Sequence, residues 1–483
     1  MRTNKIIVAL ALLLGTLGCS DWLDVKPRTE IEQEVMFSSE NGFKTALNGV
    51  YILLADQSLY GKNTSMYFPE FLARHWVSTN EMTERLLEYD YTYSSIESLI
   101  DNIWTKYYTA IANLNNVITN VKNSPLHFSH GNDSIIRGEA VGLRGFLHLE
   151  LLRLFGPVPQ GADMGKPAIP YVEEMGKEPE KLKSLPYREV LAYIIRDLKE
   201  AENYLKADPV LKGSIEDLNN PGASTVAYAP DDDWHYYRQR RFNYYAVKAA
   251  QARYYMWAGD QENAGICAKE VIGAVNPDGR AKFRLADETD YSGDKGNTIM
   301  QCEHLFGVIN SSLQSIVQGL FKNANPQLSQ TETRISNAYE TGVNPNDIRY
   351  HYYWETQEHD GTETHHFRKY TGTDEIKSQD LVPLLRLSEM YLIMMECLSP
   401  TEALEYFKVY RLSRGLNNAL ESNFETSVPE RLESEYRKEF YGEGQMFYFY
   451  KRNKYTRFTW PVPIDVKPEV YVVPVPQSQT VFE

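Results

Sequence analysis

"NYYAVKAAQARYYMWAGDQENAGICAKEVIGAV", residues 243–275, reads as a helix, a break at Gly259-Asp260, and a second helix. Ala246, Ala249 and Ala250 let a neighbouring helix approach closely, with Tyr254 and Trp257 packing below them. Small-large alternation around a tight turn is the tetratricopeptide style of helix pair. A pair of this kind buries its faces only when neighbours stack on it.

The neighbours can be found by the same reasoning. Phe43, Leu47, Val50 and Leu54 form one stripe across residues 40–56, and Trp104, Tyr108, Ile111 and Ile118 form another across 101–121. Residues 137–155, "RGEAVGLRGFLHLELLRLF", place Ala140, Leu143, Leu147, Leu151 and Leu154 on one face and stop at "GPVP", where Pro157 cannot continue a helix. Val190, Ile194, Leu198, Ala201 and Leu205 give residues 187–205 a single-sided stripe. "VPLLRLSEMYLIMMEC" and "TEALEYFKVYRLSRGL", parted by Ser399-Pro400, form a further helical pair. The expected fold is mostly α: four tetratricopeptide-like helix pairs as a scaffold, with irregular loop-rich insertions and minor β-structure.

The insertions run roughly over 59–98, 208–241 and 277–380. They are rich in Tyr, Trp and Phe, which argues against disorder. The closing "YVVPVPQSQTVFE" resembles an extended, Pro-broken edge strand. The 483 residues carry a formal charge of −15 and no basic stripe, which excludes a nucleic-acid partner. Cys267, Cys302 and Cys397 lie too far apart in sequence for a CxxC zinc or redox motif. No GxSxG, HExxH, phosphate-loop or dinucleotide fingerprint is present, and no cofactor is expected. The 65 acidic residues by themselves leave a glycosidase carboxylate pair open.

At the N-terminus, Arg2 and Lys5 precede an apolar run, residues 6–14, too short to span a bilayer. Cys19 follows Gly18 directly, and the sequence then turns acidic at Asp21 and Asp24. That arrangement looks like a bacterial lipobox, with Thr16 where Leu is usual. Residues 1–18 would then be a signal peptide, Cys19 the acylated N-terminus, and 19–483 one α-helical domain held to a membrane by its lipid.

Several segments, in order along the chain, resemble the SusD/RagB family of Bacteroidetes outer-membrane lipoproteins. They are "CSDWLDVKP", "ALNGVY", "GEAVGLRGFLHLELLRLFGPVP", "KAAQARYYMWAGD", "PLLRLSEMYLIMMEC", "EYRKEFYGEGQMFYFYKR" and "YVVPVP". Met446 and Tyr436 stand where arginines are common in that pattern, a departure that bears on local packing. The resemblance implies a cell-surface lid on a SusC-like TonB-dependent transporter, capturing oligosaccharides or, in RagB-like members, peptides. It also argues against a glycosidase, because members of that family bind rather than cut, so the chain is expected to be non-enzymatic. It also makes Asp21 and Asp24 resemble a surface-export signal, where otherwise they would simply begin a solvated tether.

A sugar-binding lid needs aromatic faces and a few polar groups. "FLARHWVSTNEMTE" offers Trp76 and Asn80 in the first insertion, where the resemblance places ligand residues. "YAPDDDWHYYRQRR" offers Trp234, Tyr236, Tyr237 and Arg238, and "DIRYHYYWETQEHDGTETHH" offers Tyr353 and Trp354. Trp104 and Trp257 lie on helical stripes and read as core. Asp231 to Asp233 read as a solvated turn, because consecutive acids cannot all face one calcium ion and no EF-hand spacing is present. The histidines of "HDGTETHH" read as a polar loop, so no metal site is expected.

Overall fold

Four helix pairs stack in the order that the periodicity predicts. The computed structural model describes residues 33–159, 161–174, 182–223, 226–291, 297–322, 327–359, 362–371, 380–416 and 424–480; Cys19 and the rest of the leader lie outside them. Helix α1 (Glu40–Ala55) packs on α2 (Ser94–Asn123), and α3 (Asn132–Phe155) on α4 (Tyr187–Tyr204). Next, α5 (Tyr244–Ala258) packs on α6 (Gln261–Ile272), and α7 (Leu387–Cys397) on α8 (Pro400–Ser413). Successive pairs touch through α2 on α3, α4 on α5, and α6 on α7. Among the described residues helix takes 59% and strand 8%, which makes the class mostly α.

Small residues set the spacing. A Cβ on Gly138 of α3 would lie 2.7 Å from Leu205, and one on Gly142 would lie 2.7 Å from Phe242 and 3.0 Å from Ala201. Those contacts would push α4 away from α3, so the glycines permit the close approach. Between α5 and α6, Gly259 adopts a left-handed φ of 80°, and the Asp260 side chain caps α6 by accepting from the Asn263 N–H.

Two expectations need correction. Residues 381–386 form a strand rather than a helical turn. This strand, β4 (Leu381–Arg386), is antiparallel to β1 (His304–Ile309), and α7 starts only at Leu387. All six of its residues are buried, and a short run that is apolar up to Arg386 has the same periodicity signature in either state. At the C-terminus, residues 472–476 run without strand pairing. Val473 is driven into the core, and a short helix, Gln477–Thr480, follows.

The insertions form part of the core. A hairpin of β2 (Trp354–His359) and β3 (Thr362–Phe367) delivers Trp354 and Phe367 to a cluster with Trp76, Phe321 and Tyr441. The Trp76 ring lies 5.0 Å from Tyr441 and 5.6 Å from Phe367, near edge-on to both. The two departures from the family pattern are accommodated by packing. Tyr436 stacks on Phe449 at 4.4 Å, and Met446 is fully buried.

Beneath these layers lies a buried ion network. Helix α9 (Val428–Glu439) ends on Glu439, whose carboxylate accepts from Arg386 at 2.7 Å, Arg414 at 2.8 Å, Arg349 at 3.0 Å and the Tyr410 hydroxyl at 2.7 Å. Burial pushes the Glu439 pKa up. Arg414, Arg386 and Arg349 more than reverse this and hold it well below the usual range. Breaking a buried pair from one side leaves an uncompensated charge. Glu439→Gln is expected to destabilise the protein by about 3–5 kcal/mol, read as a lower urea midpoint. An unchanged midpoint would show that the network does not stabilise the fold.

Candidate functional site

Residues 232–241 connect the second and third helix pairs, and side chains from three elements fix their conformation. Asp232 is the central tie. One carboxylate oxygen accepts the Trp234 backbone N–H at 2.8 Å, and the other accepts from Lys44 of α1 at 2.6 Å and Asn132 of α3 at 2.7 Å. Glu40 completes this cluster, and its pKa falls to about 2. Burial opposes the shift, but hydrogen bonds from Ser129, Lys44 and Asn132 outweigh it. Downstream, Asn243 caps α5 through its side-chain oxygen and donates to the carbonyls of Arg238 and Leu305. The segment is therefore fastened to the scaffold at both ends.

Arg238 lies underneath. It is fully buried and makes a two-pronged pair with Asp208, at 2.9 and 2.8 Å, and a 2.7 Å contact with Glu139 of α3. Glu139 also accepts from the Tyr51 hydroxyl at 2.6 Å, and that hydroxyl receives the Phe242 N–H. Arg238, expected to meet a ligand, is a structural ion beneath the site. It has no surface from which to reach a solute.

Above it opens a cleft of about 440 Å³, lined by Asp233, Trp234, Tyr236, Tyr237, Arg240 and Arg241 of this segment, Asn48, Tyr51 and Ile52 of α1, Ile309 at the end of β1 and Ser311 after it. Two arginine–aromatic stacks flank it. The Arg241 guanidinium sits 4.5 Å from the Trp234 ring and donates to Asn48 at 2.9 Å, and Arg240 sits 4.4 Å from the Tyr237 ring. Tyr237 adopts a left-handed backbone, φ 57° and ψ 42°, which is uncommon for a bulky residue and costs of order 1–3 kcal/mol. Such strain persists where the surroundings enforce it, and binding sites are a common place for it. Ile52 and Ile309 are 71% and 45% exposed, leaving an apolar rim open to solvent.

The remaining candidates lie elsewhere. Trp76 has no exposed surface and donates its indole N–H to the Met66 carbonyl at 2.9 Å. Tyr353 is equally enclosed, with its hydroxyl 3.3 Å from that of Tyr291, and Trp354 keeps only 8% of its surface. For these three the surface placement expected from sequence is corrected: the long insertions fold inward and their aromatics become core. Asn80 is exposed, but its side chain caps the short helix Glu81–Leu87 in a capping box with Thr83. It does not line the Trp234 cleft. Asp232, in the acidic run, has its oxygens committed to Lys44, Asn132 and a backbone N–H. Among the described residues no cluster of His, Cys, Asp or Glu is placed to hold a metal ion. Nor is any described helix long and apolar enough to cross a membrane.

Comparison with known proteins gives this architecture a family. Residues 21–213 match a family model described as "Starch-binding associating with outer membrane", and residues 219–479 match that of the SusD family. The chain belongs to the SusD family. The members of that family are non-catalytic binding proteins. Two relatives from Formosa agariphila, SusD-like proteins P25 and P38, are 25% and 26% identical over 176 and 212 residues. These matches cover 33% and 42% of this chain and only 31% and 39% of those relatives. A SusD superfamily structure from Bacteroides thetaiotaomicron superposes with a TM-score of 0.70 at 21% identity, covering 92% of this chain and 98% of its own. A SusD-like carbohydrate-binding protein from Bacteroides vulgatus gives 0.66 at 16% identity, covering 92% and 96%. At these identities the two structures establish a shared fold.

Sequence reasoning singled out Trp234, Tyr236 and Tyr237, which line this cleft, and did not name Arg240, Arg241, Asn48, Ile52 and Ile309, which line it too. One signal was available: Ile52 stands off the Phe43–Leu47–Val50–Leu54 stripe, so a large apolar side chain had to face outward. A pH test probes how the site is fastened. His235 donates from Nε2 to Asn132 at 2.6 Å, and its pKa is lowered to about 4, first by burial and then by Arg238. The folded state thus refuses a proton that the unfolded chain accepts below about 6.5. His235 therefore contributes stability above pH 6.5, and that contribution is lost as pH falls to 4. Glu40 loses its own contribution lower, from its ordinary 4.5 down to about 2. Melting curves of His235→Gln should fall less steeply than wild type between pH 6.5 and 4. Parallel curves would refute the assignment.

Proposed function

We propose that this protein is a cell-surface lipoprotein, anchored through Cys19, that captures oligosaccharides in the Trp234 cleft and delivers them to a SusC-like TonB-dependent outer-membrane transporter. Residues 1–18 are its export signal, and 19–483 the mature single-domain body. The carrying observation is the cleft itself, where aromatic faces and arginine donors meet in a solvent-open groove. Aromatic faces stack on the C–H faces of sugar rings, and donors fixed by neighbours bind hydroxyls at low entropic cost. Membership of a family whose model is described as starch-binding and outer-membrane-associated supports the same reading. A peptide ligand of the RagB kind is the second reading, favoured by the arginines, which also suit peptide carboxylates. A tetratricopeptide-type scaffold without a ligand would leave the strained, open Tyr237–Arg240 stack unexplained.

Trp234→Ala should weaken oligosaccharide binding at least tenfold in affinity electrophoresis, since one anchor typically carries about 2 kcal/mol or more. Its melting temperature should fall less than that of a core variant, because Trp234 keeps part of its surface open to solvent. Trp76→Ala should instead melt early, having lost a core side chain worth about 3–5 kcal/mol. Normal glycan binding by Trp234→Ala would place the site elsewhere.

The anchor has its own test. Cys19→Ala is expected to abolish palmitate labelling and release the protein from the membrane fraction. Labelling equal to wild type would overturn the lipid anchor.

A further inference from the structure

We infer that the Trp234 cleft selects an anionic sugar, held through a carboxylate or sulfate ester on the ring, rather than a neutral glycan. This rests on the reading of the cleft as a glycan site and adds its substrate class. The chain as a whole carries a charge of −15, yet two arginines line this cleft and Asp233 is its one carboxylate among the described lining residues. Arg241 is partly spoken for, through Asn48 and a 3.7 Å approach to Glu139. Arg240 is not: among the described residues no carboxylate pairs with it, and its Tyr237 stack is the interaction that places it.

That stack has a chemical consequence. Arg240 Cζ lies 4.4 Å from the Tyr237 centroid, and its Nε is buried with no hydrogen-bond partner among the described residues, which leaves the terminal amines of the planar fork as the donors for a solute. Those in-plane donors match the fork of a carboxylate or the oxygens of a sulfate. Arg240 is also next in sequence to Arg241, whose guanidinium stacks on Trp234, so the two stacks border one cavity. A sugar ring can then rest against the exposed aromatic surface while its anionic substituent meets Arg240. A neutral sugar would leave Arg240 without a counter-charge. Elsewhere this protein pairs its enclosed arginines, as Arg238 with Asp208 and Arg349 with Asp347 show.

The test uses the full-length mature protein and matched probes. Oligosaccharides of polygalacturonate and of alginate are titrated beside their carboxyl methyl esters, and sulfated galactan oligosaccharides beside their desulfated forms. Neutral glucans and mannans complete the set, with acidic peptides as the non-sugar arm. The expected result is that an acidic probe binds at least tenfold more tightly than its neutralised twin. Its affinity should fall as salt rises, and Arg240→Gln should reduce it to the level of the twin without changing the melting temperature. Whether the ester or the desulfated probe is the one that loses binding identifies carboxylate or sulfate. Equal binding of acidic and neutralised forms, or Trp234-dependent binding of neutral glycans alone, would overturn the inference and leave the glycan reading intact. Binding of acidic peptides without any glycan, or no binding at all, would overturn both.

Discussion

The carboxylate of Glu439, closed off from solvent, accepts hydrogen bonds from Arg349, Arg386, Arg414 and Tyr410, and these donors come from separate parts of the chain. Arg386 ends β4, Arg414 follows α8, and Arg349 comes from the third insertion. Arg386 also reaches Glu443 and Glu303, and Arg414 reaches Glu303. Around this centre Arg349, Arg386, Arg414, Lys369 and Lys438 are matched by Asp347, Glu303, Glu435, Glu439 and Glu443. Desolvating so many charges is costly unless each is paired with good geometry. Hydrophobic packing alone would tolerate small slips of the β1–β4 ribbon against α9. A neutral but fully paired polar centre does not, because a slip strands a charge.

The same device recurs at smaller scale under the cleft. Glu139 and Asp208 hold Arg238, and Arg238 in turn carries the backbone on which Trp234, Tyr237 and Arg240 stand. In both places an insertion is joined to the helical scaffold by an enclosed arginine. The arrangement explains how segments with little regular structure keep a defined conformation. Their backbones make few ladder hydrogen bonds, so side-chain ions supply the fixed points. It also explains how Tyr237 is kept in a left-handed conformation between the Leu218 carbonyl, which receives its N–H, and the stacked Arg240.

The scaffold was legible because helices advertise themselves locally. A 3.6-residue stripe such as Val190–Ile194–Leu198–Ala201 is complete within one element, and Gly259-Asp260 marks the turn between α5 and α6 without reference to anything distant. Residues 381–386 were not legible, since the apolar run 381–385 and the enclosed Arg386 are all buried and leave no period to read. The aromatics of the insertions failed for a different reason. Trp76 and Trp354 sit in polar surroundings along the sequence, yet Trp76 meets Phe321, Phe367 and Tyr441 across hundreds of residues, and Trp354 meets Phe367 across its hairpin and Tyr441 beyond it. Local polarity reports exposure only where neighbours in sequence are neighbours in space. Arg238 misled in the same way: its partners Asp208 and Glu139 lie 30 and 99 positions away, and nothing in "WHYYRQRR" separates the enclosed arginine from the two exposed to the cleft.

What remains is a cleft whose binding groups are already ordered. Asp232 holds the Trp234 backbone, Arg241 lies against the Trp234 ring and is bound by Asn48, and Arg240 lies over Tyr237, so a ligand in the proposed site would have few rotors to freeze. Each immobilised long side chain would otherwise subtract about 0.5–1.5 kcal/mol from affinity. Pre-ordering also limits how far the site can close, since stacked and anchored side chains cannot wrap a ligand. A groove of this kind takes up a flat, polar solute without a large rearrangement and releases it without one. That suits the proposed role, capture of a sugar for a transporter: pre-formed contact concentrates a solute at the surface, and no deep enclosure has to be opened to release it.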